Sequence, residues 1–440
     1  MNEQQVLRSA IERMLRRNPI LASYLVWDNN AEYGMDSDLA LHVTLKHDDK
    51  LFNHVFQQGG TVESIDELRD RAANHPHPEW TLLPGMLFRV LVYDIKQTGT
   101  LGFIYSGKFL PLQIKVGLVQ RLMTLTVSHC IMDATYQARF LADLNEALNT
   151  SRPQSLRPHA SYKLWAESYY SLQATPQARK SVAWHAKYLQ GIHSHLKQSQ
   201  WPQTPLTRQP FDPTGKDYAP GVRHSFLVPD LATLRKQHPD ISAPVIIKAA
   251  LALLNIRRTG TNSAIFSNVQ AGRTAWPFLP PSFSQNPSFN SVDEATDVAG
   301  PLLQAVTNFI QFSPEETVLQ FLRRLQADQV NLTQHAHAPW SEIEKALDRR
   351  ASTGDEGDQH SGLMRKVFTT QIFNWIPGMG AQVAGTRDPF EHFKLVASVT
   401  LWQVGVIVRA GLGGVNNDTV YLALLGDGLS TGEMQGVVEE

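Results

Sequence analysis

The run "TLTVSHCIMDATYQARFLADL", Thr124 to Leu144, sets a serine beside a histidine and follows them with an aspartate. An imidazole can take and return a proton near neutral pH; a carboxylate can orient it, cap a helix or hold a metal. Which of these applies depends on the backbone. On a continuous helix, His129 and Asp133 would stack on one face as metal ligands do. The preceding Thr-Leu-Thr-Val argues against that, because β-branched residues in close succession favour strand. A strand ending at His129 and a helix starting at Asp133 is the expected arrangement. Ser128 and His129 then point to opposite faces and do not make a nucleophile–base pair. A serine-hydrolase triad is therefore not expected at this segment. Two plain roles stand beside the chemical one: Asp133 as a helix cap, and His129 as a hydrogen-bonded structural histidine. Cys130 reads as a small buried residue and not as a reactive thiol.

The elements around this segment alternate between strand and helix. "AIERMLRRNPILASYLVWD" reads as a helix closed near Asn18-Pro19 and followed by extended chain. "MLFRVLVYDI" and "MTLTVSHC" are apolar, β-branched runs of strand length. After Asp133, Tyr136, Phe140, Leu141, Leu144 and Leu148 fall on one helical stripe. Asn149 to Pro158 has a linker's composition and no periodicity. A second αβ unit begins at Ile241, with Ser242 as N-cap, Pro244 in the first turn and "VIIKAALALLNIRR" as a buried helix. It leads into the strand and turn of "SAIFSNVQAGR". "PFLPPSFSQNPS" reads as an irregular loop and Arg349 to Gly362 as a mobile polar one. "LMRKVFTTQIFNW" and "KLVASVTLWQVGVIV" read as late strands. The sum is an α/β protein in two halves, 1–160 and 175–440.

Composition narrows the function classes. At 440 residues the chain exceeds what one core usually organises. Apolar residues at 42% and charged residues at 18% describe a globular protein. A formal net charge of -1 gives no electrostatic case for nucleic acid or an anionic membrane. The single cysteine excludes an internal disulfide and a CxxC metal knuckle. No apolar run reaches the roughly eighteen residues of a membrane helix. "MNEQQVLRSAIERMLRR" is an amphipathic helix without the features of a secretion signal. A cytoplasmic location is expected.

"SHCIMDAT" resembles the HHxxxDG motif of the condensation domains of nonribosomal peptide synthetases, within the chloramphenicol acetyltransferase-like superfamily. The resemblance runs along nearly the whole chain in order. "AIERMLRRNPILASYL" is similar to the family's RHExLR segment and "YKLWA" to its YxDFAxW. The unit ending in Gly272-Arg273 resembles the family's helix–strand–Gly-Arg unit. "VAGPLLQAVTNFIQF" is similar to the GxFVNT segment. Phe373, Asn374 and Trp375 resemble its Phe-Asn-aromatic strand. The resemblance implies two chloramphenicol acetyltransferase-like lobes in a V-shaped pseudo-dimer with a central substrate tunnel. It further implies His129 as catalytic base, and Asp133 as structural support with Arg273 as its candidate partner. Thr135, Asn374 and Trp375 are candidate substrate-binding residues; packing in the core is the other reading of the last two.

The departures from the motif carry information of their own. Ser128 replaces the first histidine, removing a bulky imidazole and widening the site, and Ala134 replaces the glycine. This SHxxxD form is similar to the terminal condensation-like domains of fungal synthetases, although Tyr136 stands where their hydroxyl residue falls and Thr135 comes one place early. Those domains release a peptidyl thioester by intramolecular amide formation. The implied partners are a peptidyl carrier (thiolation) domain and its peptidyl thioester; the carrier supplies the phosphopantetheine arm, and no cofactor or metal binds directly. The family's opening segment SxAQxRxWxL has no counterpart, and the chain ends a few residues into the last helix, as expected of a domain taken from a larger synthetase. Val298 to Phe312 departs strongly, which implies a changed second-substrate side. The alternatives are a standalone acyltransferase using acyl-CoA or acyl-carrier donors, and a degenerate docking domain. The DFGWG signature of plant-type acyltransferases does not follow Gly380.

Overall fold

The computed structural model describes residues 3–27, 40–64, 67–68, 71, 87–95, 103–106, 121–128, 130–148, 159–203, 221–273, 295–351, 362–376, 393–397, 404–414, 417–426 and 428–440. Helix α1 (Glu3–Arg17) buries Leu7, Ala10, Ile11, Met14 and Leu15, the helical spacing of its apolar residues. It stops where Asn18 Nδ2 donates to the Met14 carbonyl at 2.9 Å and Pro19 opens a short 3-10 turn. Strand β1 (Ser23–Trp27) then pairs antiparallel with β2 (Ala40–Thr44). Helix α2 (Asp49–Val55) is capped by Asp48, whose Oδ1 accepts from Leu51 N at 2.7 Å. Strands β3 (Phe56–Val62), β4 (Phe88–Ile95) and β6 (Arg121–Val127) form one sheet in that order; β5 (Phe103–Ser106) lies between the last two in the chain. Helix α3 (Ala134–Leu148) lays Tyr136, Phe140, Leu141 and Leu144 on the sheet, where they share a core with Met14, Phe88 and Val90.

Beyond β7 (Ala160–Ser161) come α4 (Tyr162–Leu172), α5 (Pro176–Tyr188) and α6 (Ile192–Ser199). The later elements are β8 (Gly221–Leu227), α7 (Pro229–Gln237), α8 (Ala243–Thr259), β9 (Ser263–Gln270), β10 (Val298–Ala299), β11 (Gln304–Gln311), α9 (Val318–Gln334), α10 (Trp340–Ala351) and α11 (Leu363–Thr370). They end with β12 (Gln371–Trp375), β13 (Phe393–Ala397), β14 (Val406–Gly413), β15 (Thr419–Leu425) and α12 (Thr431–Glu439). The second sheet runs β11-β9-β12-β14-β15-β8, with β9, β12 and β14 parallel to one another. Val245, Ala249 and Ala252 of α8 pack on one face with Phe266, Phe373 and Val408. Ile265 and Phe309 point to the other face, into a core with residues of α5, α6, α10 and α11.

Two strand pairs tie the early and late parts of the chain. β13 pairs parallel with β5, and β10 pairs parallel with β7. The boundary between 1–160 and 175–440 is therefore crossed by backbone hydrogen bonding.

Several local expectations need correction. "LMRKVFTT" is helix and only Gln371–Trp375 is strand, because Leu363, Met364 and Val367 are buried at helical spacing. Arg349, Arg350 and Ala351 close α10 and do not open a loop. Ser242 precedes α8 but makes no cap; its hydroxyl donates to Gln326 Oε1 at 2.8 Å. Helix α8 buries one side only, with Leu253 exposed. The linker 149–158, the Pro-rich stretch 277–288 and residues 352–361 lie outside the described residues.

Where α5 meets the end of α9, histidines are packed among aromatic rings. His185 Nε2 donates to the His335 carbonyl at 3.0 Å, Ser181 Oγ and His335 Nδ1 are 2.9 Å apart, and Trp184 stacks on His335. Tyr169 OH donates to the His337 carbonyl at 3.1 Å. Burial lowers both His185 and His337 from 6.5 to about 4. Between those values the unfolded chain binds protons that the folded chain refuses, so stability falls as pH drops from 6.5 towards 4. Each histidine contributes at most about 1.4 kcal/mol per pH unit. Melting temperature is expected to be flat above neutral pH and to fall below it. His185→Gln, which cannot take up a proton, should reduce the slope; an unchanged slope would remove His185 from the account.

Candidate functional site

The segment that carries the motif is pinned at both ends. Strand β6 hands over to Ser128, whose N–H donates to the Leu87 carbonyl at 2.8 Å. Ile131 and Met132 are buried in the core beneath α3. Helix α3 then begins, with Asp133 Oδ1 accepting from Tyr136 N at 2.8 Å. The strand–turn–helix arrangement expected from the residues is the one observed. His129 sits between these anchors in the chain, and its own placement lies outside the described residues.

Asp133 is both a cap and half of an ion pair. It is 1% exposed, and Arg273, far along the chain, is 5% exposed. Arg273 Nη2 donates to both carboxylate oxygens at 2.8 Å and Nε donates to Oδ2 at 3.1 Å. Leu302 N–H adds a bond to Oδ2 at 2.9 Å. The remaining guanidinium hydrogens go to carbonyls: Nη1 to Val298 at 3.0 Å and Ala295 at 3.3 Å, and Nη2 to Gly300. A planar fork meets a carboxylate on one side and backbone on the other, the geometry for which arginine is suited and lysine is not. The pair joins the start of α3, the turn after β9 and the 295–302 segment at one buried point.

Gly272 makes this junction possible. Its φ is +59°, and a Cβ there would stand 1.8 Å from the Leu302 carbonyl oxygen. Gly272→Ala is therefore expected to cost about 1–3 kcal/mol in strain. A shift in the urea midpoint measures it, and an unshifted midpoint would mean the turn is free to move.

The other candidates fall in different surroundings. Ser128 Oγ and Cys130 Sγ are 2.8 Å apart, and Cys130 N donates to Ser128 Oγ at 3.4 Å. Burial pushes the Cys130 thiol up, with the Ser128 bond opposing; that disfavours the thiolate a nucleophile needs. Thr135 is exposed on the first turn of α3. Tyr136 is buried, its hydroxyl has no partner among the described residues, and burial holds its phenol well above the ordinary range.

Asn374 and Trp375 do not share a wall. They are neighbours on β12 and so face opposite sides of the sheet. Trp375 belongs to the α8 side, in a cavity of about 560 Å³ with Ile241, Pro244, Leu412, Arg235 and Asn417. Asn374 lies on the far side, in register with Arg409 of β14. The carboxyl ends of β9, β12 and β14 lie on one edge of the sheet, the edge where open parallel sheets hold ligands. Arg273 follows β9 at that same edge. The carbonyls of Ala295, Val298 and Gly300 were not foreseen as part of the site. The Gly300-Pro301 pair in an otherwise apolar run was the available signal.

No protein-family model matches the sequence, and no curated protein matches it. Among solved structures, the chain is similar to the epimerization domain from the third module of tyrocidine synthetase B, at TM-score 0.61 and 11% identity, over 99% of this chain and 86% of that one. It is similar to the first condensation domain of the calcium-dependent antibiotic synthetase in complex with a substrate analogue, at TM-score 0.58 and 13% identity, over 99% and 86%. A structure of the complex of the X-domain and OxyB from teicoplanin biosynthesis gives TM-score 0.65 and 13% identity, over 99% and 83%. The likeness is one of fold: a mixed α/β architecture matching condensation and epimerization domains of nonribosomal peptide synthetases. No helix among the described residues is long and apolar enough to cross a membrane.

Proposed function

We propose that the protein is a condensation-type acyl-transfer domain that releases a carrier-bound peptidyl thioester by intramolecular amide formation. The observation that carries the reading is the Asp133–Arg273 pair, buried and fully hydrogen-bonded, which ties the start of α3 to the 295–302 segment in a fold similar to that of condensation domains. The reading takes the chain as two chloramphenicol acetyltransferase-like lobes in a V-shaped pair with a substrate tunnel between them, and His129 as the base that acts there. A peptidyl carrier domain presents the phosphopantetheine arm at its mouth.

In this mechanism the peptide's own amine attacks the thioester carbonyl. The C–N bond forms, the C–S bond breaks, and the amine proton passes through a ring nitrogen of His129 to the departing thiolate. Holding amine and carbonyl about 3–3.5 Å apart supplies much of the acceleration, since a thioester is already activated. Asp133 and Arg273 act as positioning residues. Ser128, engaged with Cys130, leaves room for a peptide that folds back on itself.

Single-turnover incubation with a peptidyl-pantetheine thioester tests the reading, with products identified by mass. A product lighter than the substrate by one pantetheine thiol, with no added water, is expected. A linear acid as sole product, or turnover of acyl-CoA with a separate amine alone, would overturn it. One observation favours a second reading: a structural neighbour was solved in complex with OxyB. A docking domain of that kind would bind a partner protein and turn over no thioester.

A further inference from the structure

The face of the second sheet opposite α8 carries a row of residues that the acyl-transfer chemistry does not use. The register runs Asn374, Arg409, Ala423, Arg223 across β12, β14, β15 and β8. Val408 and Ala410 on β14, Leu424 on β15 and Val222 on β8 are buried under α8, so the residues between them point away from it. Ala423 stands between the two arginines and contributes only a methyl group. With strands about 4.8 Å apart, the arginine backbones are roughly 10 Å from each other, close enough for both long side chains to meet one group lying between them.

Among the described residues, neither arginine meets a carboxylate. Arg409 Nε is buried without a hydrogen-bond partner among the described residues. Neither Arg409 nor Arg223 is in an ion pair among those residues, and the charge acting on Arg409 is the other cation. Burial, and then Arg223, push the Arg409 guanidinium below its ordinary value. Arginines that serve the fold here look different: Arg273 meets Asp133 and three carbonyls, and Arg324 meets Glu316. A half-buried guanidinium whose Nε has no partner among the described residues, set beside a second cation, suits an anion.

We propose that Arg409 and Arg223, with Asn374 as a polar flank, form a binding site for a phosphate group. Two cations without a carboxylate match a doubly charged phosphate better than a singly charged carboxylate, and planar guanidinium forks suit its oxygens. The site stands apart from the acyl-transfer reading, and its test reads binding alone.

The probe is inorganic phosphate, with chloride at equal ionic strength as the reference and melting temperature as the readout. Phosphate is expected to raise the melting temperature beyond chloride, because it binds the folded state. Arg409→Gln should weaken phosphate binding about tenfold or more, while keeping or raising stability in phosphate-free buffer, since an uncompensated charge is removed. Arg223→Gln, at an exposed position that folding does not need, should weaken binding in the same direction. Arg323→Gln, an exposed arginine paired with Asp240, should leave binding unchanged. Phosphopantetheine and pantetheine then separate the sources. Tighter binding of phosphopantetheine than of phosphate assigns the carrier arm, and weaker binding assigns a free phosphate. No phosphate-specific rise, an equal rise in both arginine variants, or equal binding of pantetheine would overturn the proposal.

Discussion

Asp133→Ala is expected to lower the unfolding free energy by about 3–5 kcal/mol, because it leaves the buried Arg273 guanidinium uncompensated. Arg273→Ala should cost a similar amount for the reciprocal reason. The carboxylate would keep Tyr136 N and Leu302 N as donors and lose its cation. The double variant should be less destabilised than the two losses added, since both remove one shared interaction. Urea unfolding of the four proteins measures the coupling. If Asp133 served only as the helix cap, its loss would cost about 1 kcal/mol, and the effects of the two changes would add. Activity should fall with stability well before global unfolding. The pair holds the turn before α3 and the 295–302 segment together, and a segment loosened by either change cannot hold its histidine in place.

Much of the first half was legible because its signals are local. In α1, Leu7, Ile11, Met14 and Leu15 repeat at helical spacing, and Asn18-Pro19 closes the helix with residues whose chemistry requires it. The strand–turn–helix around the motif followed from β-branched residues giving way to a periodic stripe. "LMRKVFTT" misled because a short apolar run with Val, Phe and Thr fits strand and helix alike, and periodicity over so few residues does not arbitrate. The pairings of β13 with β5 and β10 with β7 join segments far apart in the chain, and no local pattern encodes such a register. Lys248 is a similar case. In the sequence it is one charge on an apolar helix, whereas its ammonium is buried, donating to Asn308 and Gln329 on other elements and lowered by that burial to about 8. The Asp133–Arg273 pair was reached through family resemblance, and its ring of backbone partners came only from the fold. Asn374 and Trp375 stand together as substrate-binding candidates on the sequence, although the period of a strand sets neighbours on opposite faces.

His129→Ala should reduce single-turnover release of a peptidyl-pantetheine by about 10²–10⁴-fold, the usual contribution of a general base. The fold should not change. The anchors on either side are bonds of other residues: Ser128 N to the Leu87 carbonyl, Ile131 and Met132 in the core, and Asp133 to Arg273. The urea midpoint of His129→Ala should therefore match that of the parent, in contrast to Asp133→Ala, where both quantities fall. This separation tells the proton carrier from the residues that position it. The loss should be largest for a weakly basic nucleophile, which needs its proton removed as the C–N bond forms. It should be smallest for a strongly basic aliphatic amine, which attacks a thioester unaided. Ser128→Ala is the companion variant. Its hydroxyl is engaged with Cys130 and lies on the other face of the strand from the expected imidazole, so its loss should be mild. A loss below about tenfold in His129→Ala would remove it as the base, and an acyl group found on Ser128 by mass would move the chemistry to the serine.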